Sequence, residues 1–454
     1  MTGCASIGPG APAVQSIRGS QLDLLDSPIA WPTDQWWQRY QDPQLNAIVT
    51  EALAESPSLA TARARLDMAN AAVRSARAVQ LPQLNAAYTM VRERMSENYI
   101  YPPPFAGSMQ TDNSLRLDFD LSLDLWGKQR SRHAAAVSRE QAAAAELQEA
   151  RNALVGGVVQ SYFNLQNALA QTTVISKIVK QLENVSRVTR QRVAAGLDTE
   201  VEANQADSAV SAARVQLSQA RTNAELLRNQ LSALLATGPA RGASIKASNL
   251  TMAPTEPPAQ IPLSLLGRRP DIVAAKYEVL ASSGDISAAR AEFFPNVDLS
   301  AFAGFMSLGL GNLLRGGSAV YGVGPAITLP IFHGGALNAQ LDARRAQRDL
   351  AVADYNQTVL TAVREVADAT AAIRALQQQR KDQAASYRAI RSAYDIAVQR
   401  YKSGLGNFIQ VLLAQNEVQK QAIVDTDLRV RAFNLDAQLA TALGGGYAVP
   451  TPAP

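Results

Sequence analysis

Between Lys128 and Ala195 the chain runs 68 residues without a proline, and between Ala336 and Ser403 it does so again. Only Gly156-Gly157 interrupts the first run, and the second holds neither Gly nor Pro. Helices of ordinary globular proteins span about 8–20 residues, so one compact core cannot absorb segments this long. As α-helices rising about 1.5 Å per residue, each would be roughly 100 Å long. The second run places Val352, Val359, Val366 and Ile373 seven residues apart, with Tyr355, Ala362, Ala369 and Leu376 three residues later. Leu147, Leu154, Ala168, Ile175 and Leu182 keep the same spacing in the first. A repeat sustained at about 3.5 residues specifies coiled-coil packing. The composition agrees: 47% of residues are hydrophobic, yet only 6% are aromatic, and small alanine knobs let long helices approach closely.

The two runs belong to two similar halves. Pro57 to Pro82 and Pro270 to Pro295 each enclose 24 residues, both boundaries offset by 213, and Arg77 matches Arg290. Gln191-Arg192 with Gly196-Leu197 corresponds to Gln399-Arg400 with Gly404-Leu405 at an offset of 208. Two stable offsets point to an internal duplication. The expected organisation is an N-terminal segment (1–43), a first repeat (44–237), a Pro-rich linker (238–269), a second repeat (270–443) and a tail (444–454). The 24-residue segment and the 41 residues from Leu197 to Thr237 together nearly match the long run. Each half is therefore expected to pack one long helix antiparallel to two shorter ones stacked end to end, turning at Gly196 or Gly404.

Between the helices, Leu115, Leu117, Phe119, Leu121, Leu123 and Leu125 alternate with Arg116, Asp118, Asp120, Ser122 and Asp124. Strict period-2 alternation is the pattern of a strand with one greasy and one wet face. Val297–Ala301 and Tyr321–Leu329 repeat it, and Leu84–Val91 is the expected fourth strand. Residues 92–113 and 307–318 read as loops, and Trp126 and Phe332 as interfacial aromatics closing the descending strands. The flanking helices are too long to cover such strands, so the apolar face is expected to meet lipid. Four strands cannot close alone, and open edges in hydrocarbon leave backbone groups unpaired at several kcal/mol each. Two, three or four chains must then share one barrel. The fold class is thus an α+β membrane protein, a shared β-barrel continuous with a long coiled-coil barrel. Arg116, Asp118, Asp120 and Asp124 would face the lumen and make it mildly cation-preferring.

Other chemistry is sparse. The only histidines are His133 and His333 and the only cysteine is Cys4, too few for a zinc site, so no metal and no catalytic residues are assigned. Phosphate-binding loops and nucleophile elbows are absent from the sequence. A net charge of +4 from 43 basic and 39 acidic residues leaves no footprint for nucleic acid. No run of about 18 apolar residues would make a spanning helix. Gly3-Cys4-Ala5-Ser6 is similar to the end of a lipoprotein signal, which makes Cys4 the expected site of a covalent lipid, the one non-protein group anticipated. Glu200 and Glu202 read as solvated or lumen-lining charge rather than an acid/base pair.

The duplicated halves, Cys4, the strand ending Leu123-Asp-Leu125-Trp126-Gly127, its partner Leu329-Pro330-Ile331-Phe332, and Arg400-Tyr401-Lys-Ser-Gly404 together resemble the TolC-type outer membrane factors. The likeness is to their lipoprotein members, the NodT group attached to resistance-nodulation-division pumps, and covers roughly residues 30–445. It implies a homotrimeric channel-tunnel, lipid-anchored in the bacterial outer membrane and extending into the periplasm. Its partners would be outer-membrane lipid, a periplasmic adaptor protein and an inner-membrane pump. It also implies an aperture at the helix tips, placed here at Arg400, Tyr401, Ile409, Leu413, Asp198, Glu200 and Glu202. Leu413 stands where many members have aspartate, which favours a hydrophobic constriction; seam packing is the plainer role for Ile409 and Leu413. Arg192, Gly196, Leu197, Arg400, Gly404 and Leu405 are the expected adaptor-docking residues, although helix termination alone would explain the glycines. Alternatives are the outer component of a type I protein-secretion system and a soluble periplasmic scaffold. No enzyme activity is expected.

Overall fold

The computed structural model of the chain describes residues 13–22, 24, 29–248, 250, 258 and 260–448. Cys4 and its expected lipid lie outside them. The elements are α1 (Pro43–Glu55), α2 (Pro57–Ala78), β1 (Gln83–Arg94), β2 (Met109–Leu123), α3 (Lys128–Ala194), α4 (Glu200–Leu234), α5 (Pro239–Ala243) and α6 (Leu265–Arg268). They continue with α7 (Pro270–Ala291), β3 (Asn296–Leu308), β4 (Ala319–Thr328), α8 (Ala336–Lys402) and α9 (Phe408–Ala442). The longer helices fall into pairs of equal length: 22 residues for α2 and α7, 67 for α3 and α8, 35 for α4 and α9. Helix α3 passes through Gly156-Gly157 unbroken. Pairing along the sheet carries the strands further outward than alternation alone did, so the loops over 92–113 and 307–318 shrink. At the other end β2 stops at Leu123, leaving Trp126 beyond it.

The chain divides into two compact units. The first comprises Met1–Ser16, Ala64–Ala144 and Ala274–Asn356. Its centre is a four-stranded antiparallel sheet in the order β1-β2-β3-β4, with β1 and β4 at the edges. Residues directly opposite one another across a pair share a face, so the register sorts the side chains. One face carries the rows Leu84, Phe119, Ala301, Val323; Ala86, Leu117, Ala303, Tyr321; and Tyr88, Leu115, Phe305, Ala319, all apolar apart from the phenols of Tyr88 and Tyr321. Its residues stand largely bare, Tyr321 at 84% and Val323 at 75% exposed. The other face carries Asn85, Asp118, Phe302, Gly322 and, one row on, Gln83, Asp120, Ser300, Gly324.

In the same unit, helices of matched length are treated differently. On α7, Ile286 and Ala289 pack against Leu341 of α8. Asp285 pairs with Arg139 of α3, and just past α7 Glu292 takes Lys128 at 3.3 Å and Arg132 at 2.7 Å. By contrast, no residue of α2 from 64 to 78 is buried. The helical layer thus has an uncovered side, as the sheet has open edges.

The second unit comprises Ile17–Arg63, Ala145–Val273 and Gln357–Pro454. Helix α1 starts at Pro43, where the missing N–H costs nothing. Asp42 caps it, accepting from the N–H groups of Gln44 at 2.9 Å and Leu45 at 3.2 Å, and accepts the Tyr162 hydroxyl at 2.6 Å as well. Tyr162, Phe163 and Leu165 of α3 are fully buried beside Leu45, Ile48 and Val49 of α1. Each such side chain contributes about 1.5–3 kcal/mol of burial, and Tyr40 meets Phe163 edge to face at 4.9 Å. Ile178, Val179 and Leu182 of α3 pack on Val210 and Ala213 of α4. Val366, Ala369, Ile373 and Leu376 of α8 pack on Leu435 and Leu439 of α9. The seven-residue seam is therefore the buried one.

Candidate functional site: helix tips and strand faces

The two long helices end in the same motif. At α3, Gly196 donates its N–H to the Val193 carbonyl at 2.9 Å and Leu197 donates to Arg192 at 2.9 Å. At α8, Gly404 donates to Tyr401 at 3.0 Å and Leu405 to Arg400 at 2.8 Å. Both glycines sit at φ +72°, the left-handed conformation that closes a helix in this pattern. The chain is thereby turned so that Leu197 and Leu405 project into solvent, 64% and 72% exposed. The next helices begin with caps at equivalent places. Thr199 Oγ1 accepts from the Val201 N–H at 3.2 Å, while the Glu202 carboxylate accepts from the Thr199 N–H at 2.9 Å. Asn407 Oδ1 accepts from the Gln410 N–H at 3.1 Å. Glu202 is thus occupied as half of a capping box, its carboxyl held below the usual range by the Thr199 hydroxyl and backbone donors.

Asp198 ties the first tip to the second. Its carboxylate accepts from Arg192 Nε at 2.8 Å and Nη2 at 3.2 Å, and from the Tyr401 hydroxyl of α8. The Arg192 guanidinium lies 4.6 Å from the centre of the Tyr401 ring, and that ring packs on Phe408 at 5.8 Å. Arg192 and then Tyr401 hold the Asp198 carboxyl below the ordinary range, while burial and Asp198 push the Tyr401 phenol up. Of the residues singled out from sequence, the structure brings Arg192, Asp198 and Tyr401 together. Glu200 is exposed and apart from them, and Arg400 reaches only the Leu405 carbonyl, at 3.5 Å. Ile409 and Leu413 stand 53% and 64% exposed, and the buried positions beside them belong to Phe408, Val411, Gln415 and Val418. Phe408 was missed as a tip residue, though its place next to a cap and three positions before Val411 marks it as the start of a buried stripe.

On the polar face of the sheet, Arg116 pairs with Asp118 at 2.7 Å and lies 4.3 Å from the Phe302 ring. Asp120 accepts from the Ser300 hydroxyl at 2.8 Å. Asp124, grouped with these from sequence, lies past the end of β2. Its carboxylate accepts from the N–H groups of Gln129 at 3.0 Å and Arg130 at 2.9 Å and so closes the start of α3. Asp298 instead joins the polar face, opposite Ser122; the alternation Val297-Asp298-Leu299 already carried that signal.

Residues 48–237 and 261–445 match the family model described as "Outer membrane efflux protein". The chain belongs to the outer membrane efflux protein family. Its relatives include the multidrug resistance outer membrane protein MdtP of Escherichia coli K12, 31% identical over 98% of this chain and 94% of that protein. The fusaric acid resistance protein FusA of Burkholderia cepacia is 35% identical over 76% of this chain and 67% of its own length. Among solved structures, VceC of Vibrio cholerae superposes with a TM-score of 0.88 at 35% identity, covering 92% of this chain and all of that one. The Campylobacter jejuni CmeC channel gives 0.87 at 25% identity, with 92% and 89% covered. As an outer membrane efflux protein, the chain is a channel component located in the outer membrane and extending into the periplasm. That location sets aside the soluble scaffold. Among the described residues no helix is long and apolar enough to cross a membrane.

Proposed function

We propose that three copies of the chain form one channel-tunnel, the passive exit duct of a tripartite efflux pump. The observation that carries this reading is a sheet with one continuous apolar face and two unpaired edges. In hydrocarbon those edges are tolerable only when β4 of one subunit pairs with β1 of the next, three sets of four strands closing a barrel. The uncovered α2 calls for a neighbouring helix in the same way, continuing the closure into a helical tunnel. The equal helix lengths and the family match in two segments support descent by internal duplication. The polar face, with Asp118, Asp120, Asp298 and Arg116, would line the lumen, and Cys4 would carry a lipid that fastens the chain to the membrane. The tips would form the aperture, Arg192, Asp198 and Tyr401 holding it shut. Leu197 and Leu405, with the glycines behind them, would dock a periplasmic adaptor linked to an inner-membrane resistance-nodulation-division pump.

The test uses the purified full-length protein. Cysteines placed singly on β1 and β4 are expected to cross-link chains up to a trimer, and the oligomer to give unitary conductance steps in planar bilayers. Monomers in mild detergent micelles that pass no current would overturn the reading.

A further inference from the structure

Where the sheet meets the helices, the first unit contains a cavity of about 410 Å³, bordered by Ser122, Asn296 and Thr328 of the strands and by Trp126, Phe294 and Lys128. Ligand sites occupy roughly 300–1,000 Å³. Three of its four strand residues belong to the polar face, Ser122 lying opposite Asp298 and Asn296 opposite Thr328, while Leu123 comes from the apolar one. The cavity therefore opens toward the lumen side of the sheet.

Two features of its wall point to a ligand chemistry. Trp126 and Phe294 are stacked, ring centres 4.8 Å apart and planes 21° from parallel. The indole N–H is already donated to the Pro295 carbonyl at 2.8 Å, so the slab offers π surface with its polar demand met, and both rings remain about half exposed. Charge is the second feature. Asp124 is spent on the start of α3 and on Arg130, and Glu292 on Lys128 and Arg132. The two carboxylate side chains are only 16% and 13% exposed, whereas Lys128, Arg130 and Arg132 are 33%, 69% and 46% exposed. What faces the water is positive.

We propose that the foot of the barrel holds a resting site for planar aromatic anions, the ring lying on Trp126 and Phe294 and the acidic group turned toward Lys128. The inference rests on the channel reading above, which makes the polar face the lumen. A flat ring gains stacking there while its charge meets a cationic border. A neutral or cationic solute lacks the second contact, and an aliphatic acid lacks the first.

Single-channel recording of the purified oligomer with 2-naphthoate tests the site against cyclohexanecarboxylate, an acid of the same charge without a π face. Naphthoate is expected to reduce the unitary current at several-fold lower concentration than cyclohexanecarboxylate. Trp126→Ala should weaken that block about fivefold, in keeping with the loss of a stacked ring, and Lys128→Gln should weaken it too. Trp126→Phe, which keeps a stackable ring, should retain most of it and carries the test if the alanine variant fails to assemble. Equal block by the two acids, or block unchanged in Trp126→Ala and Lys128→Gln, would overturn the resting site while leaving the channel intact. Failure of the unsubstituted protein to form pores would instead defeat the channel reading.

Discussion

Arg269 shows how this chain tolerates a buried charge. Its side chain is 8% exposed, and burial by itself would disfavour the cation. It donates to Asp271 at 3.0 and 2.7 Å, to Glu365 at 2.6 Å and to the Ala442 carbonyl at 3.1 Å. Those carboxylates outweigh burial and hold the guanidinium firmly protonated. Glu149 faces the same group at a disadvantage: burial first, and then the charge of Asp271, push its carboxyl up to about 7 against the partial help of Arg269 and Asn152. The folded protein therefore binds this proton more tightly than the unfolded chain does. The consequence is that stability falls as pH rises from the ordinary carboxylate range to about 7 and stays lower above it, by an amount on the order of 3 kcal/mol. Glu149→Gln should raise the melting temperature at pH 8 and leave it nearly unchanged at pH 5; equal shifts at both pH values would contradict this. None of it was legible in the sequence, because a seven-residue period marks which positions are buried but not which distant charge each will meet. Arg269 and Glu365 lie 96 positions apart.

At the scale of elements, one hydroxyl supplies the hydrogen bond that links the hairpins at their tips. Tyr401→Phe keeps the ring on Phe408 and under Arg192 but removes the donor to Asp198. A hydrogen bond to a charged group near the surface is worth about 1 kcal/mol after screening, so the fraction of time the pore is open should rise several-fold in bilayer recordings. An unchanged open fraction would remove Tyr401 from the gate. The sequence exposed much of this level. The 67-residue helices end within a residue of the expected breaks, and Gly196 and Gly404 mark both turns. What stayed hidden is what neighbours decide. Pro57–Ala78 and Pro270–Ala291 have equal length and similar punctuation, yet only α7 is enclosed, since it alone lies between α3 and α8. Arg92-Glu93-Arg94 breaks the apolar alternation, yet pairing with residues 109–111 keeps them in β1. Asp124 fits the alternation by parity, but the backbone leaves the strand one residue earlier.

For the whole molecule, on the channel reading proposed above, the polar face sets the charge that a permeating ion meets. Arg116 is committed to Asp118, whereas Asp120 and Asp298 on the same face have no ion pair among the described residues. A salt gradient across the bilayer should give a reversal potential on the cation side, moving toward zero in Asp120→Asn with Asp298→Asn. Anion preference that persists in the double variant would refute an acidic lumen.

The unpaired strands β1 and β4 also bear on inheritance and dosage. In the proposed trimer every subunit must give one edge and receive another, so the cycle yields nothing until its last joint forms. A copy damaged on a single edge would poison each ring it enters. With three places to fill, a population in which half the copies are damaged would leave roughly one ring in eight intact, and such alleles should behave as dominant.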